Sequence, residues 1–148
     1  MVCERPKKLR YIDRETPKRE PGKAIVKIKR IGICGTDIHA FLGNQPFFEY
    51  PRVLGHELSG FIDWIGENPN GLQIGDQVSV IPYLECGTCP ACKSGYTNCC
   101  PNISVMGVHT DGGMAEQIAV PIDHLIKTNG LTLDQSAILE PLSIGAHA

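Results

Sequence analysis

Five of the chain's seven cysteines lie within fifteen residues, Cys86 to Cys100, in the segment CGTCPACKSGYTNCC. The segment is polar, holds two glycines and a proline, and has no periodic apolar pattern. It cannot bury a core of its own, so something other than side-chain packing must hold it. Cys86, Cys89 and Cys92 follow a C-x2-C-x2-C spacing, and Cys100 comes after seven further residues that include Gly95. Four thiolates on one small lobe suit tetrahedral zinc. Zinc accepts an all-cysteine shell and supplies folding free energy to a segment without a core. On spacing alone Cys99 can replace Cys100 as the fourth ligand. An iron–sulfur cluster is the rival reading, because three cysteines so spaced and a Cys-Pro pair (Cys100-Pro101) resemble bacterial ferredoxin spacing. The gap ahead of Cys100 is too long for that pattern, and no second set of cysteines follows.

Clustered cysteines that bind metal belong to a reducing compartment, and the rest of the chain agrees. At 148 residues, 42% apolar and 20% charged, it reads as one soluble globular domain spanning residues 1–148. The formal net charge is -2 with no basic stripe, which argues against nucleic acid as the main partner. No apolar run approaches the roughly 20 residues of a membrane span. The opening MVCERPKKLR lacks the apolar stretch of a secretory signal. The expected location is cytoplasmic, away from membranes.

GKAIVKIKRIGICG alternates apolar and basic residues and predicts a strand that becomes fully buried toward Ile33. SGFIDWIG, GDQVSVIPY and GGMAEQIAVP predict further short strands, set off by Gly, Pro and Asn turn signals. TDIHAFLG predicts a short helix capped by Thr36 or Asp37 and stopped by Gly43. From about Asp134 the chain reads as helical, with Pro141 kinking or ending the helix. Several short strands at this spacing predict a mainly β, barrel-like domain. The cysteine lobe is expected to project from it, with the C-terminal helical segment packed beside it.

A second group of metal-ligating residues lies upstream. GICGTDIH supplies Cys34, Thr36, Asp37 and His39, and VLGHELSG supplies His56 and Glu57. One thiolate, one imidazole and carboxylates can form a zinc site of mixed ligands with a position left for water or substrate. Taken singly, each residue has a structural explanation: Cys34 and His56 as core, Glu57 as a surface charge. Cys3 and Cys99 read as free thiols, and Trp64 as packing.

These motifs occur in a set order: GICGTDIH, YPRVLGHELSG, GDQVSV, the four-cysteine lobe, DGGMAEQIAVP and AILEPLSIGAHA. In that order they resemble the catalytic domain of the medium-chain, zinc-dependent alcohol dehydrogenase family, over nearly the whole chain. The resemblance implies a GroES-like, partly open barrel carrying a zinc lobe and a few short helices. Glu140 in LEPL, where other members place a third zinc cysteine, makes it most similar to the polyol and sugar-acid branch. That branch includes sorbitol, threonine and galactonate or idonate dehydrogenases.

The resemblance also implies roles. Cys34 and His56 match the set ligands of a catalytic zinc, and Glu57 and Glu140 the carboxylates that complete or exchange in its shell. Asp37 matches a partner orienting His56 through its other ring nitrogen. Thr36 matches the hydroxyl that takes the substrate proton, and His39 the relay toward solvent. Cys86, Cys89, Cys92 and Cys100 match the structural zinc ligands, and His109 stands near where relatives place substrate-pocket residues. The implied reaction moves hydride from a secondary alcohol (a polyol, sugar acid or amino-acid alcohol) to NAD or NADP, in a dimeric or tetrameric full-length enzyme. The chain has no G-x-G-x-x-G turn, so no Rossmann cofactor domain is expected within it. It reads as the N-terminal part of a larger dehydrogenase, inactive alone. A freestanding zinc-binding or interaction module is the reading from another class, and it would present a polar face where an enzyme half presents an apolar one.

Overall fold

A computed structural model describes residues 1–46, 48–67 and 70–148. The turn signal at Asn68-Pro69 lies outside the described residues. In chain order the elements begin with strands β1 (Val2–Arg5), β2 (Lys8–Arg10) and β3 (Lys23–Gly32), then helix α1 (Gly35–Leu42). Strands β4 (Glu57–Ile65), β5 (Gln77–Val80) and β6 (Tyr83–Leu84) follow, then the one-turn helix α2 (Pro90–Lys93) and strand β7 (Ser104–Val105). Strands β8 (Gln117–Pro121) and β9 (Leu125–Lys127) lead to helices α3 (Leu133–Ala137) and α4 (Leu139–His147). The fold is mainly β with a few short helices.

The central sheet has five strands in the order β8-β3-β4-β5-β9, every pairing antiparallel. It does not close on itself, and β8 and β9 are its edges. Val26, Leu58, Ile62, Val78, Val80 and Val120 fill the core beneath it. The start of β4 is buried on both faces, Glu57 through Gly60, because α3 and α4 pack on its other side. Ser59 on that covered face is satisfied by donating to the Leu133 carbonyl at 2.7 Å. Gln77 joins the same seam, donating to Ser136 Oγ at 2.8 Å and to the Leu131 carbonyl at 2.9 Å.

Burial along β3 runs opposite to the sequence expectation. Ala24, Ile25 and Val26 are buried, whereas Ile33 is 61% exposed. The pairing explains this. β8 covers β3 only from Lys23 to Lys27, so the second half of β3 is paired on one side alone. The bulge there is accommodated by Gly60, where a Cβ would come within 2.2 Å of the Lys27 carbonyl.

Helix α1 stops at Gly43, which takes the left-handed conformation with φ 83°. Its N-cap is Cys34 rather than Thr36 or Asp37. The C-terminal helix is broken at Ile138, three residues before Pro141. A proline ring clashes with the carbonyl four residues earlier, here Ala137, so the helix cannot continue through that residue. Pro141 itself sits in the first turn of α4, where its missing N–H costs little.

β6 and β7 form a separate ribbon, Tyr83 opposite Val105 and Leu84 opposite Ser104. The cysteine-rich segment is the loop between them. Among the described residues no helix is long and apolar enough to cross a membrane.

Candidate metal centres

In the lobe the four sulfurs of Cys86, Cys89, Cys92 and Cys100 lie within 4.8 Å of one another. The Cys89–Cys92, Cys86–Cys100 and Cys86–Cys92 Sγ separations are 3.4, 3.5 and 4.0 Å. Tetrahedral metal–sulfur bonds of about 2.3 Å place sulfurs about 3.8 Å apart, which these distances bracket. The loop backbone is arranged for thiolates: Cys92 N–H points at Cys89 Sγ and Cys86 N–H at Cys100 Sγ, both at 3.5 Å. The Thr88 backbone N–H and then its hydroxyl bring the Cys86 thiol down to about 5. Burial, then the neighbouring Cys89 thiol, pushes Cys92 up to about 12. A cation that displaces the remaining protons relieves this crowding of sulfurs. Cys99, equivalent to Cys100 by spacing, is exposed and outside the group.

The second group joins two loops. Cys34 precedes α1, while His56 and Glu57 stand at the start of β4, and their ligand atoms converge within 4.8 Å. His56 and Glu57 are buried and Cys34 is half-buried. Gly32 faces Glu57 across the β3–β4 pairing, and a Cβ on it would lie 2.0 Å from Glu57 Oε2. Only glycine leaves room for that carboxylate. Gly32→Ala should therefore displace Glu57 and empty this centre while the lobe keeps its metal, so metal analysis should fall from two ions per chain to one. Retention of both would show that Glu57 is not needed.

Asp37 is engaged by the backbone of both ligand loops. Its carboxylate accepts from Cys34 N–H at 3.0 Å and from Gly55 N–H at 2.9 Å, in a site only 3% exposed. The first turn of a helix has unpaired N–H groups, and an acidic residue at its third position is drawn to them. Asp37 thus fastens the backbone of Cys34 to the backbone beside His56, rather than the imidazole. His56 Nδ1 is buried without a hydrogen-bond partner among the described residues. One nitrogen of the same ring is among the three converging ligand atoms, and a thiol, an imidazole and a carboxylate form a donor set that suits zinc.

Glu140 is buried in the first turn of α4 but is not one of the three converging groups. Its Oε1 accepts a hydrogen bond from the Tyr83 hydroxyl. Burial first, then Glu140, Cys34 and Glu57, raises the pKa of that hydroxyl, so the phenol stays protonated. No sequence motif marks Tyr83, which sits in a two-residue strand between GDQVSV and the lobe. His124 was equally unmarked; its Nε2 lies 3.0 Å from Glu85 Oε2 at the root of the lobe. Thr36 is half-buried and His39 exposed, three residues apart on α1 and so on one helix face. His109 is exposed and its Nδ1 accepts from Val105 N–H at 3.0 Å, closing its own loop.

Comparison with known proteins places this geometry. Residues 20–130 match the model of the alcohol dehydrogenase GroES-like domain. L-galactonate-5-dehydrogenase of Escherichia coli (strain K12) is 53% identical over 148 residues, covering 100% of this chain and 44% of its own length. A zinc-type alcohol dehydrogenase-like protein of Haemophilus influenzae is 42% identical over 135 residues, 89% of this chain and 39% of its own. The crystal structure of an alcohol dehydrogenase, rspB of E. coli CFT073, complexed with NADH, superposes with a TM-score of 0.89 at 38% identity. It covers 98% of this chain and 42% of that one.

Proposed function

Because the chain belongs to the alcohol dehydrogenase GroES-like domain family, we propose that residues 1–148 form the catalytic domain of a zinc-dependent oxidoreductase acting on a polyol or sugar-acid alcohol. The chain spans about 44% of the length of the L-galactonate-5-dehydrogenase it matches. The observation that carries the reading is the convergence of Cys34, His56 and Glu57 from two loops onto one point.

Cys34, His56 and Glu57 would hold one zinc and Cys86, Cys89, Cys92 and Cys100 a second, structural one. A zinc ion at the first centre supplies a Lewis acid that acidifies a substrate hydroxyl. The Thr36 hydroxyl would accept the released proton while passing on its own toward His39, exposed one turn further along α1, which would hand a proton to water. Asp37 keeps the two ligand loops at working distance through their backbones. The rspB relative holds NADH, and NAD or NADP is the oxidant in this scheme. The polyol or sugar-acid class is supported by the similarity to L-galactonate-5-dehydrogenase.

Surface composition favours this over a freestanding module. Ile138, Leu142 and Ile144 of the C-terminal helices are 54%, 64% and 53% exposed, an apolar surface where a self-contained module would be polar. A turnover screen of the intact protein against polyols and sugar acids, with both nicotinamide cofactors, tests the function directly. Oxidation of at least one of them is expected, and inactivity toward all of them in a protein with two bound zincs would favour the module. Thr36→Ala tests the proton path. Zinc content should be unchanged and turnover lower by about 10²–10⁴-fold, the usual contribution of a general acid–base group. Unchanged turnover would remove Thr36 from the path.

A further inference from the structure

We propose that Tyr83 is a positioning residue that holds Glu140 away from the Cys34–His56–Glu57 centre, so that Glu57 is the carboxylate ligand and Glu140 is kept in reserve. The proposal rests on the reading of that centre as a metal site.

Three observations meet at Tyr83. Its hydroxyl donates to Glu140 Oε1, while Glu140 is only 7% exposed and stands outside the converging group. Glu140 stands in the first turn of α4, which packs on β4, the strand that begins at Glu57, so the pair lies on the side of the sheet that carries the centre. The residue is also held from behind. Its backbone pairs with Val105 in the β6–β7 ribbon, and its carbonyl oxygen lies 3.2 Å from His124 Nε2. A phenol on a ribbon so anchored has little freedom to follow Glu140 toward a metal.

A buried carboxylate that loses its donor must find another positive or hydrogen-bonding partner. With Tyr83 in place, one oxygen of Glu140 is engaged and its charge is partly satisfied. Without the hydroxyl, a cation held by Cys34, His56 and Glu57 would be open to Glu140 as such a partner. Glu140 would then enter the shell and close a position that Tyr83 otherwise keeps free.

Cobalt(II), whose visible absorption reports ligand number and type, is the probe. The intact protein is loaded at both centres, and the four-cysteine spectrum serves as an internal control for folding. Tyr83→Phe is expected to tighten cobalt binding at the second centre by about tenfold or more, the scale of effects exerted through partners of ligands. The absorption of that centre should change with it. Glu140→Gln alone should leave affinity as in the parent, and Tyr83→Phe/Glu140→Gln should return to the parent affinity and spectrum. Parent-like binding by Tyr83→Phe would overturn the proposal. So would an effect that persists in the double variant, or a loss of affinity in Glu140→Gln alone, which would make Glu140 a ligand. Should Tyr83→Phe lose the four-cysteine spectrum, Tyr83→Met, flexible and also without a hydroxyl, repeats the test. Cys34→Ser separates the two levels: if it keeps the second cobalt, the metal-site reading fails, whatever Tyr83 does.

Discussion

Cys34→Ser is expected to empty the second centre and abolish alcohol oxidation while the four-cysteine lobe keeps its metal. The sulfur is one of three converging donors, and the backbone N–H of the same residue is held by Asp37 at the start of α1. A serine there keeps the cap of α1 and the Asp37 bond but replaces a soft thiolate by a neutral hydroxyl, a poor ligand for zinc. Loss of affinity should exceed the about 10–100-fold that follows from removing a partner of a ligand. Metal analysis after dialysis, together with turnover of the intact protein, reads both consequences. A variant that kept two zincs and full activity would end the dehydrogenase reading altogether.

Cys100→Ser should have the largest effect on stability. Between β6 and β7 the lobe offers only α2 and the turn Thr97–Cys99 as regular structure, and Cys100 is the one buried cysteine among its four. Structural zinc contributes about 10–16 kcal/mol of apparent binding free energy in small zinc domains, as much as the whole stability of a typical domain. With three ligands left, the segment should release its metal and become open to proteases between residues 86 and 100. Cys99→Ser is the matched control. Its sulfur is exposed and outside the group, so stability should change by no more than about 0.5 kcal/mol and both metals should stay. Equal effects of the two substitutions would mean that the lobe exchanges its fourth ligand. A brown protein containing iron and sulfide would replace zinc by a cluster.

Much of this molecule was legible in local chemistry. The C-x2-C-x2-C spacing brings three sulfurs together within one small loop, because so few intervening residues cannot carry them apart. The stop at Gly43 and the short strands are properties of single residues and their neighbours, and they appear in the structure as expected. Local chemistry also named Cys34, His56 and Glu57, but it left each of them a dull alternative, which only their convergence in space reduces.

What the tertiary structure alone decided has one physical root, that a partner distant in sequence leaves no trace in spacing or periodicity. Tyr83 and Glu140 are 57 residues apart, and nothing in either neighbourhood announces the hydrogen bond between them. The fate of β3 depended on how far β8 runs beside it, and the covered face of β4 on where α3 and α4 dock. Spacing left Cys99 and Cys100 equivalent and only the resemblance preferred Cys100; the fold buries Cys100 with the group and leaves Cys99 exposed outside it. Asp37 found two backbone N–H groups, one three residues before it and one eighteen residues after. The near one is set by helix geometry and could be foreseen; the far one exists only because the sheet carries Gly55 and His56 back to the start of α1.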